Sequence, residues 1–270
     1  MMTIQEAAAR RVLIAAHRGV AGGNVPCNSV PGFQAALRQG ADIIELDVSV
    51  SRDGELYVFH PGMEPVFLRS DTYIREMDSA WVDTMVLHNQ DGARTQYHVP
   101  RLREVLELLR DKCYINLDKF WDCPEGIARV VRELNMQDQV LIKTSNTAEN
   151  FARVEEVAYD LPYMVIAWDY DDFTPELKKR NLRYVGVEAL FAREDVPIVH
   201  EDYIRFMREQ GMVLWANAIV YDYRAVLTAG HTDDIAVSTD PDHGWGWLIN
   251  RGFNIIQTDW PMALGRYLGR

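Results

Sequence analysis

Eight short apolar runs recur along the chain: VLIAA (12–16), DIIELDVSV (42–50), CYINL (113–117), VLIK (140–143), YMVIAW (163–168), YVGVEAL (184–190), MVLWANAI (212–219) and NIIQTD (254–259). Between them the spacing lengthens. Leu102, Val105, Leu106 and Leu109 fall at i, i+3, i+4 and i+7, one face of a helix. Helical stretches are also expected over 30–39, 125–135, 147–158, 174–181, 199–210 and 241–251. Gly40, Gly211, Gly230 and Gly252 stand where left-handed caps would end helices. Unbroken apolar runs belong to strands covered on both faces, and alternation with helices predicts parallel strands joined by right-handed crossovers. Eight such units in 270 residues predict a single-domain α/β (β/α)8 TIM barrel over 1–270, in preference to an open doubly wound sheet. Residues 61–99 break the rhythm, Pro-rich at first and then polar. They predict a small insertion after the second strand, lying over the barrel mouth.

Composition narrows the function classes. A net charge of −12 argues against a general nucleic-acid or anionic-membrane surface. An anionic substrate would therefore need a local cluster of cations. No apolar run approaches the length of a membrane span. The N-terminal MMTIQEAAARR has no apolar signal core, and Cys27, Cys113 and Cys123 are an odd set without metal-ligand spacing. These features lead us to expect a cytoplasmic protein with a small-molecule partner.

Barrel active sites are built at the carboxyl ends of the strands, and charge gathers there in this chain. The first run ends in His17-Arg18, the second carries Glu45 and Asp47, the third ends in Asp118-Lys119 and the fourth in Lys143. Glu45 and Asp47 are two residues apart, so they share the inward face while Ile44, Leu46 and Val48 face the helices. Two inward carboxylates repel unless a cation lies between them. With Asp118 they offer three hard oxygen donors, suited to one divalent ion, Mg²⁺ or Ca²⁺. The alternative is that each acid pairs with Arg18, Lys119 or Lys143.

A second histidine follows in SVSRDGELYVFH (49–60). Asp53-Gly54 predicts a two-residue hairpin turn. In that register Val48 opposes Phe59 and Asp47 opposes His60, on a shared face; a slip of one residue would reverse the face. His17 and His60 are then candidates for general acid and base. Arg18 and a metal would hold phosphate oxygens. Together they describe in-line displacement at a phosphodiester.

The pattern His17-Arg18, Glu45-Leu46-Asp47, His60 resembles the glycerophosphodiester phosphodiesterase family, as do 99–106, Trp215-Ala216-Asn217 and 257–261. The resemblance implies hydrolysis of a glycerol phosphodiester to glycerol 3-phosphate and an alcohol, in glycerol or lipid metabolism, through a cyclic phosphate. It implies His17 and His60 as the acid–base pair, Arg18 on phosphate, and Glu45, Asp47 and Asp118 around the ion. Three departures stand out: Cys27 and Pro61 where acids are usual, and Phe120 where a lysine is usual. Lys119, displaced by one, is expected to face away, and Lys143 to take over the phosphate contact. Cys27 reads as a filler, not a nucleophile. Two alternatives remain: a lysophospholipase D-type enzyme with an apolar entrance from 61–90, or a weakened barrel that only binds phosphate ligands. Glu188 could enter the barrel or pair locally, Asn217 and Asp259 could meet a substrate hydroxyl, and Trp168, Trp215 and Trp260 could wall a pocket or pack. His88, His98, His200, His231 and His243 are expected at the surface.

Overall fold

Every one of the eight apolar runs forms a strand. The computed structural model describes residues 1–270. Its strands are β1 (Leu13–Ala16), β2 (Ile43–Val50), β3 (Leu56–Val58), β4 (Val86–His88), β5 (Arg94–His98), β6 (Tyr114–Asp118), β7 (Val140–Ser145), β8 (Pro162–Trp168), β9 (Arg183–Leu190), β10 (Val213–Asn217) and β11 (Ile255–Thr258). Eight of these, all but β3, β4 and β5, pair in parallel as a ring. β1 closes it, pairing with β11 on one side and with β2 at Ala15–Ile43 and Ala16–Ile44 on the other. The (β/α)8 barrel is therefore present.

Amphipathic helices cover the ring. Leu102, Val105, Leu106 and Leu109 of the helix Leu102–Leu109 are buried in the main core against strand residues such as Leu46 and Leu117. Ser29 caps the helix Val30–Arg38 by accepting from the Gly32 amide at 3.2 Å, a contact that satisfies one of the four free amides of a helix start. The helices Ile4–Arg10, Asp233–Ser238 and Pro261–Tyr267 have no counterpart in the periodic pattern. The first of them closes the bottom of the barrel with Ile4, Ala7 and Ala8. No helix is long and apolar enough to cross a membrane.

The barrel interior changes character with height. Its lowest residues are apolar, among them Leu13, Ile43, Tyr114, Leu141, Val213 and Ile255. Two residues further along each strand, on the same face, stand Glu45, Asn116, Lys143 and Gln257, all buried. The next step up brings His17, Asp47, Asp118 and Asn217. Glu188 joins the interior because β9 contains a bulge: Tyr163 pairs with Tyr184, but Met164 pairs with Gly186, skipping Val185. The extra residue reverses which side chains point inward. It occurs at a glycine, and a Cβ on Gly186 would lie 2.0 Å from the Val213 carbonyl oxygen.

Residues 59–101 build short helices, Glu64–Phe67 and Ser79–Val82, and the antiparallel pair β4–β5. They have a small core of their own, including Tyr57, Phe59, Phe67, Ile74, Met77 and Leu87. The β2–β3 hairpin departs from the expected register. Val48 pairs with Val58 and Val50 with Leu56, so the loop has three residues, Arg52–Gly54. Asp53 accounts for this. Its carboxylate accepts from Ser51 Oγ and from the Ser79 amide and hydroxyl, tying the turn to a distant segment. Asp47 consequently stands opposite Phe59, whose amide donates to the Asp47 carbonyl at 3.0 Å.

Gly186→Ala should lower unfolding free energy by about 3 kcal/mol through backbone overpacking, read as a fall in the urea midpoint at unchanged slope.

Candidate active site

At the ends of β1 and β6 the chain does something that strand alternation does not anticipate. Arg18 (φ 54°) and Lys119 (φ 61°), each the second or first residue beyond its strand, adopt the left-handed conformation. Non-glycine residues in this region are strained and concentrate at functional sites. The bends have direct consequences. The Arg18 amide donates to Glu45 Oε2 at 2.9 Å, and the Arg18 Nε lies 2.9 Å from Asp47 Oδ2 as an ion pair. Both terminal nitrogens of Arg18 are without a protein hydrogen bond. Lys119 turns back, its Nζ donating to Asp118 Oδ2 at 3.3 Å, so it faces the acidic residues and not away from them.

Glu45, Asp47 and Asp118 each bring one oxygen within 4.8 Å of the others. Asp47 and Asp118 are register partners on β2 and β6. Asp47 Oδ2 accepts from Asn28 Nδ2 at 2.9 Å, while the buried Asp47 Oδ1 has no hydrogen-bond partner. Burial, and then the neighbouring Asp47 charge, push the Glu45 pKa up to about 7. Burial works in the same direction on Asp118, but the Lys143 and Lys119 ammonium groups outweigh it and hold that acid down to about 2. An all-oxygen donor set, clustered, mostly buried and containing an orphan oxygen, fits a hard divalent cation.

The two histidines flank this cluster. His17 Nδ1 lies 2.9 Å from Asp259 Oδ1, and since a carboxylate only accepts, that nitrogen carries the proton. His60 Nδ1 likewise donates to the Pro61 carbonyl at 2.8 Å. Each ring therefore presents Nε2 as its free nitrogen, and His60 Nε2 is 3.9 Å from Asp47 Oδ1. Strict alternation would have turned His60 away in the observed register. It arrives beside Asp47 because β3 ends at Val58 and the chain bends before residue 60. The electrostatics differ between the rings. Burial would lower the His17 pKa, but the hydrogen bond to Asp259 and the charge of Glu45 hold it above its ordinary value. At His60 burial dominates and pushes the pKa down.

Asp259 is itself held. Asp233, buried, accepts from the Asp259 amide, the Thr258 hydroxyl and the Trp245 indole, each at 2.7 Å. Lys143 has a different setting from the one expected of it. Its Nζ donates to Glu188 Oε2 at 2.7 Å, and Glu188 Oε1 accepts from Asn217 at 2.7 Å, inside the barrel. Lys143 is 3% exposed. The ammonium is thus committed to Glu188, whereas Lys119 faces the acidic cluster. A cavity of ≈ 510 Å³ opens at the site, lined by His17, Arg18, Cys27, Met63, Tyr221 and Asp259 among others. Burial pushes the Cys27 thiol up to about 12, so it is not a thiolate there.

Several contributors carried little signal in the sequence. Asn28 is two residues past Pro26 in a loop. Tyr221, whose ring lies 5.6 Å from the Arg18 guanidinium, is a loop aromatic like many others. Asp259 stood out as a strand-end acid, but its partner His17 is 242 positions away. Asn217 and Trp215 belong to the buried network, and Trp168 and Trp260 are exposed at the mouth. Among the remaining histidines, His231 is buried, bonded to the His243 carbonyl and to Glu194, and stacked on Trp247.

The chain is similar to proteins of one kind. DUF4996, a domain of unknown function, matches residues 163–268. A glycerophosphodiester phosphodiesterase of Caldanaerobacter subterraneus subsp. tengcongensis is 28% identical over 144 residues, 50% of this chain and 59% of that protein. One of Bacillus altitudinis is 31% identical over 148 residues, 48% of this chain and 57% of that protein. The chain thus spans under two thirds of the length of these relatives. Among solved structures, a glycerophosphoryl diester phosphodiesterase from Parabacteroides distasonis superposes with a TM-score of 0.78 at 19% identity, covering 96% of this chain and 86% of that one. A phosphodiesterase from Oleispira antarctica, solved in complex with the product sn-glycerol-3-phosphate, superposes with a TM-score of 0.66 at 16% identity, covering 97% and 98%. The resemblance read from the motifs is borne out by these relatives.

Because Glu45 titrates higher in the folded chain than unfolded, its contribution to stability is present below pH 4.5 and is lost as pH rises through about 7. Added Mg²⁺ or Ca²⁺ should therefore raise the melting temperature more at pH 8 than at pH 5, and Glu45→Gln should remove most of that difference in a thermal-shift titration.

Proposed function

We propose that the protein is a divalent-metal-dependent phosphodiesterase that hydrolyses glycerophosphodiesters to glycerol 3-phosphate and an alcohol. One observation carries the reading: two histidines, each with Nδ1 committed and Nε2 free, flank three clustered carboxylates beside a guanidinium. The relatives' names support the same activity.

The assignment of roles follows from the environments. His60, held neutral by burial, takes the proton of the glycerol hydroxyl next to the phosphate ester. That oxygen attacks phosphorus, the bond from phosphorus to the alcohol oxygen breaks, and His17 gives its Nε2 proton to the departing oxygen. Water then opens the cyclic phosphate with the two roles exchanged. Arg18 binds two phosphate oxygens through its terminal nitrogens. Glu45, Asp47 and Asp118 hold the ion, Mg²⁺ or Ca²⁺, which when bound supplies Lewis-acid neutralisation of phosphate charge. Lys119, not Lys143, makes the second cationic contact with phosphate; Lys143 acts from below through its field on Glu45 and Asp118. Residues 61–99 cover the mouth and contribute Met63 and Gln90 to the cavity. The free cysteines fit a reducing, cytoplasmic setting.

Cys27 and Pro61 are the departures that would suggest a barrel that only binds phosphate. The Pro61 carbonyl orients His60, and Asn28 engages Asp47, which favours retained catalysis.

Release of glycerol 3-phosphate from a diester panel, with EDTA or with added Mg²⁺, Ca²⁺ or Mn²⁺, tests the proposal. His17→Ala and His60→Ala should each lower kcat by roughly 10²–10⁴. No turnover with any metal by the folded wild type would refute it. Lys119→Ala should raise KM about tenfold, whereas Lys143→Ala should chiefly lower the melting temperature by leaving Glu188 unpaired. Asp259→Asn removes an interaction that raises the His17 pKa, so the alkaline limb of the rate profile should move to lower pH.

A further inference from the structure

The catalytic cavity continues into a second one. A groove of ≈ 510 Å³ shares Ala21 and Asp259 with it and is otherwise lined by Val20, Gln39, Trp260, Met262, Ala263 and Arg266. It runs between the ends of two helices, Val30–Arg38 and Pro261–Tyr267, which flank the seam where β1 meets β11. It meets the cavity at Ala21 and Asp259. Beyond that the walls are mainly apolar, with Trp260 51% and Met262 45% exposed. Arg266 lies one turn beyond Met262 on the same helix face, about 6 Å along the axis. Its guanidinium makes no ion pair or hydrogen bond within the protein, nor does the Gln39 side chain. In a chain with 40 acidic and 28 basic residues, an uncommitted guanidinium at the end of an apolar groove favours a negative group there.

We propose that this groove receives the alcohol moiety of the diester and selects alcohols with a short apolar body ending in an anionic group. The proposal rests on the phosphodiesterase reading and on the two residues, Ala21 and Asp259, that line both cavities. The alcohol's carbon chain packs on Trp260, Met262 and Ala263. Its terminal carboxylate or phosphate accepts from Arg266 and Gln39. A simple acyl chain would bury its apolar length equally well but would leave Arg266 facing a methyl group.

Three glycerol 3-phosphate diesters distinguish these cases: those of ethanol, hexanol and 6-hydroxyhexanoate. With the metal-loaded wild type, kcat/KM for the 6-hydroxyhexanoate ester should exceed that for the hexanol ester about tenfold, one charge-assisted hydrogen-bonded contact. Arg266→Gln should abolish that gap and leave the ethanol ester unchanged. Met262→Ser should slow both six-carbon esters relative to the ethanol ester. Equal rates for the two six-carbon esters, a preference for hexanol, or a preference that survives Arg266→Gln would each overturn the proposal. If the wild type hydrolyses none of the three, the phosphodiesterase reading fails, and calorimetric binding of 6-phosphohexanoate against hexyl phosphate decides the groove separately. An affinity gap lost in Arg266→Gln sustains it; no gap overturns it.

Discussion

Glu45 and Asp47 stand one inward step apart on β2, in an interior where water is scarce, and much of the surrounding architecture answers that repulsion. Two buried carboxylates at this separation cannot both ionise without compensation. The chain supplies it unevenly. Asp47 has the Arg18 guanidinium and the Asn28 amide, and Asp118 has Lys119. Glu45 has only a backbone amide in bonding contact, and burial and the Asp47 charge raise its pKa. The deficit of positive charge at this one point is what makes the cluster suited to a cation and not to a closed network of ion pairs. Elsewhere in the barrel the opposite solution appears: Lys143, Glu188, Asn217 and Trp215 are linked to one another by hydrogen bonds.

The same economy explains the histidines. Each is fixed by its Nδ1 alone, His17 through a carboxylate and His60 through a carbonyl. At His17 the carboxylate partner outweighs burial and favours the charged ring, whereas at His60 burial outweighs the carbonyl and favours the neutral one. Two chemically identical side chains are thereby driven in opposite directions. The support extends further out, since Asp233 holds the backbone of Asp259, whose carboxylate in turn holds His17. The position of the His17 ring is thus tied to buried hydrogen bonds well away from it.

Much of the barrel was legible because its signals are local. A strand covered on both faces must be apolar throughout, so VLIAA or NIIQTD announces itself within five or six residues. The inward pair Glu45–Asp47 follows from the two-residue repeat of any strand. Legibility failed wherever the backbone left regular geometry. Lys119 was expected to face away, yet a left-handed turn at that very residue brings it back to Asp118. Glu188 could not be assigned a face because the bulge at Gly186 depends on β8 and on how closely Val213 approaches. The hairpin loop is one residue longer than Asp53-Gly54 predicts because Asp53 is held by Ser79, which no local rule for a two-residue turn includes.

The sequence by itself determined the succession of strands and helices, the parallel barrel they imply, and the set of charged residues at the strand ends, since each depends on periodicity and spacing along the chain. Only the tertiary structure decided which of those charges meet. His17 and Asp259 are 242 residues apart and touch because a closed barrel brings its last strand beside its first. Lys143 meets Glu188, and Lys119 meets Asp118, because of a bulge and a left-handed turn respectively. Such pairings depend on closure and on local departures from regular backbone, and neither is encoded in the alternation of apolar and polar positions.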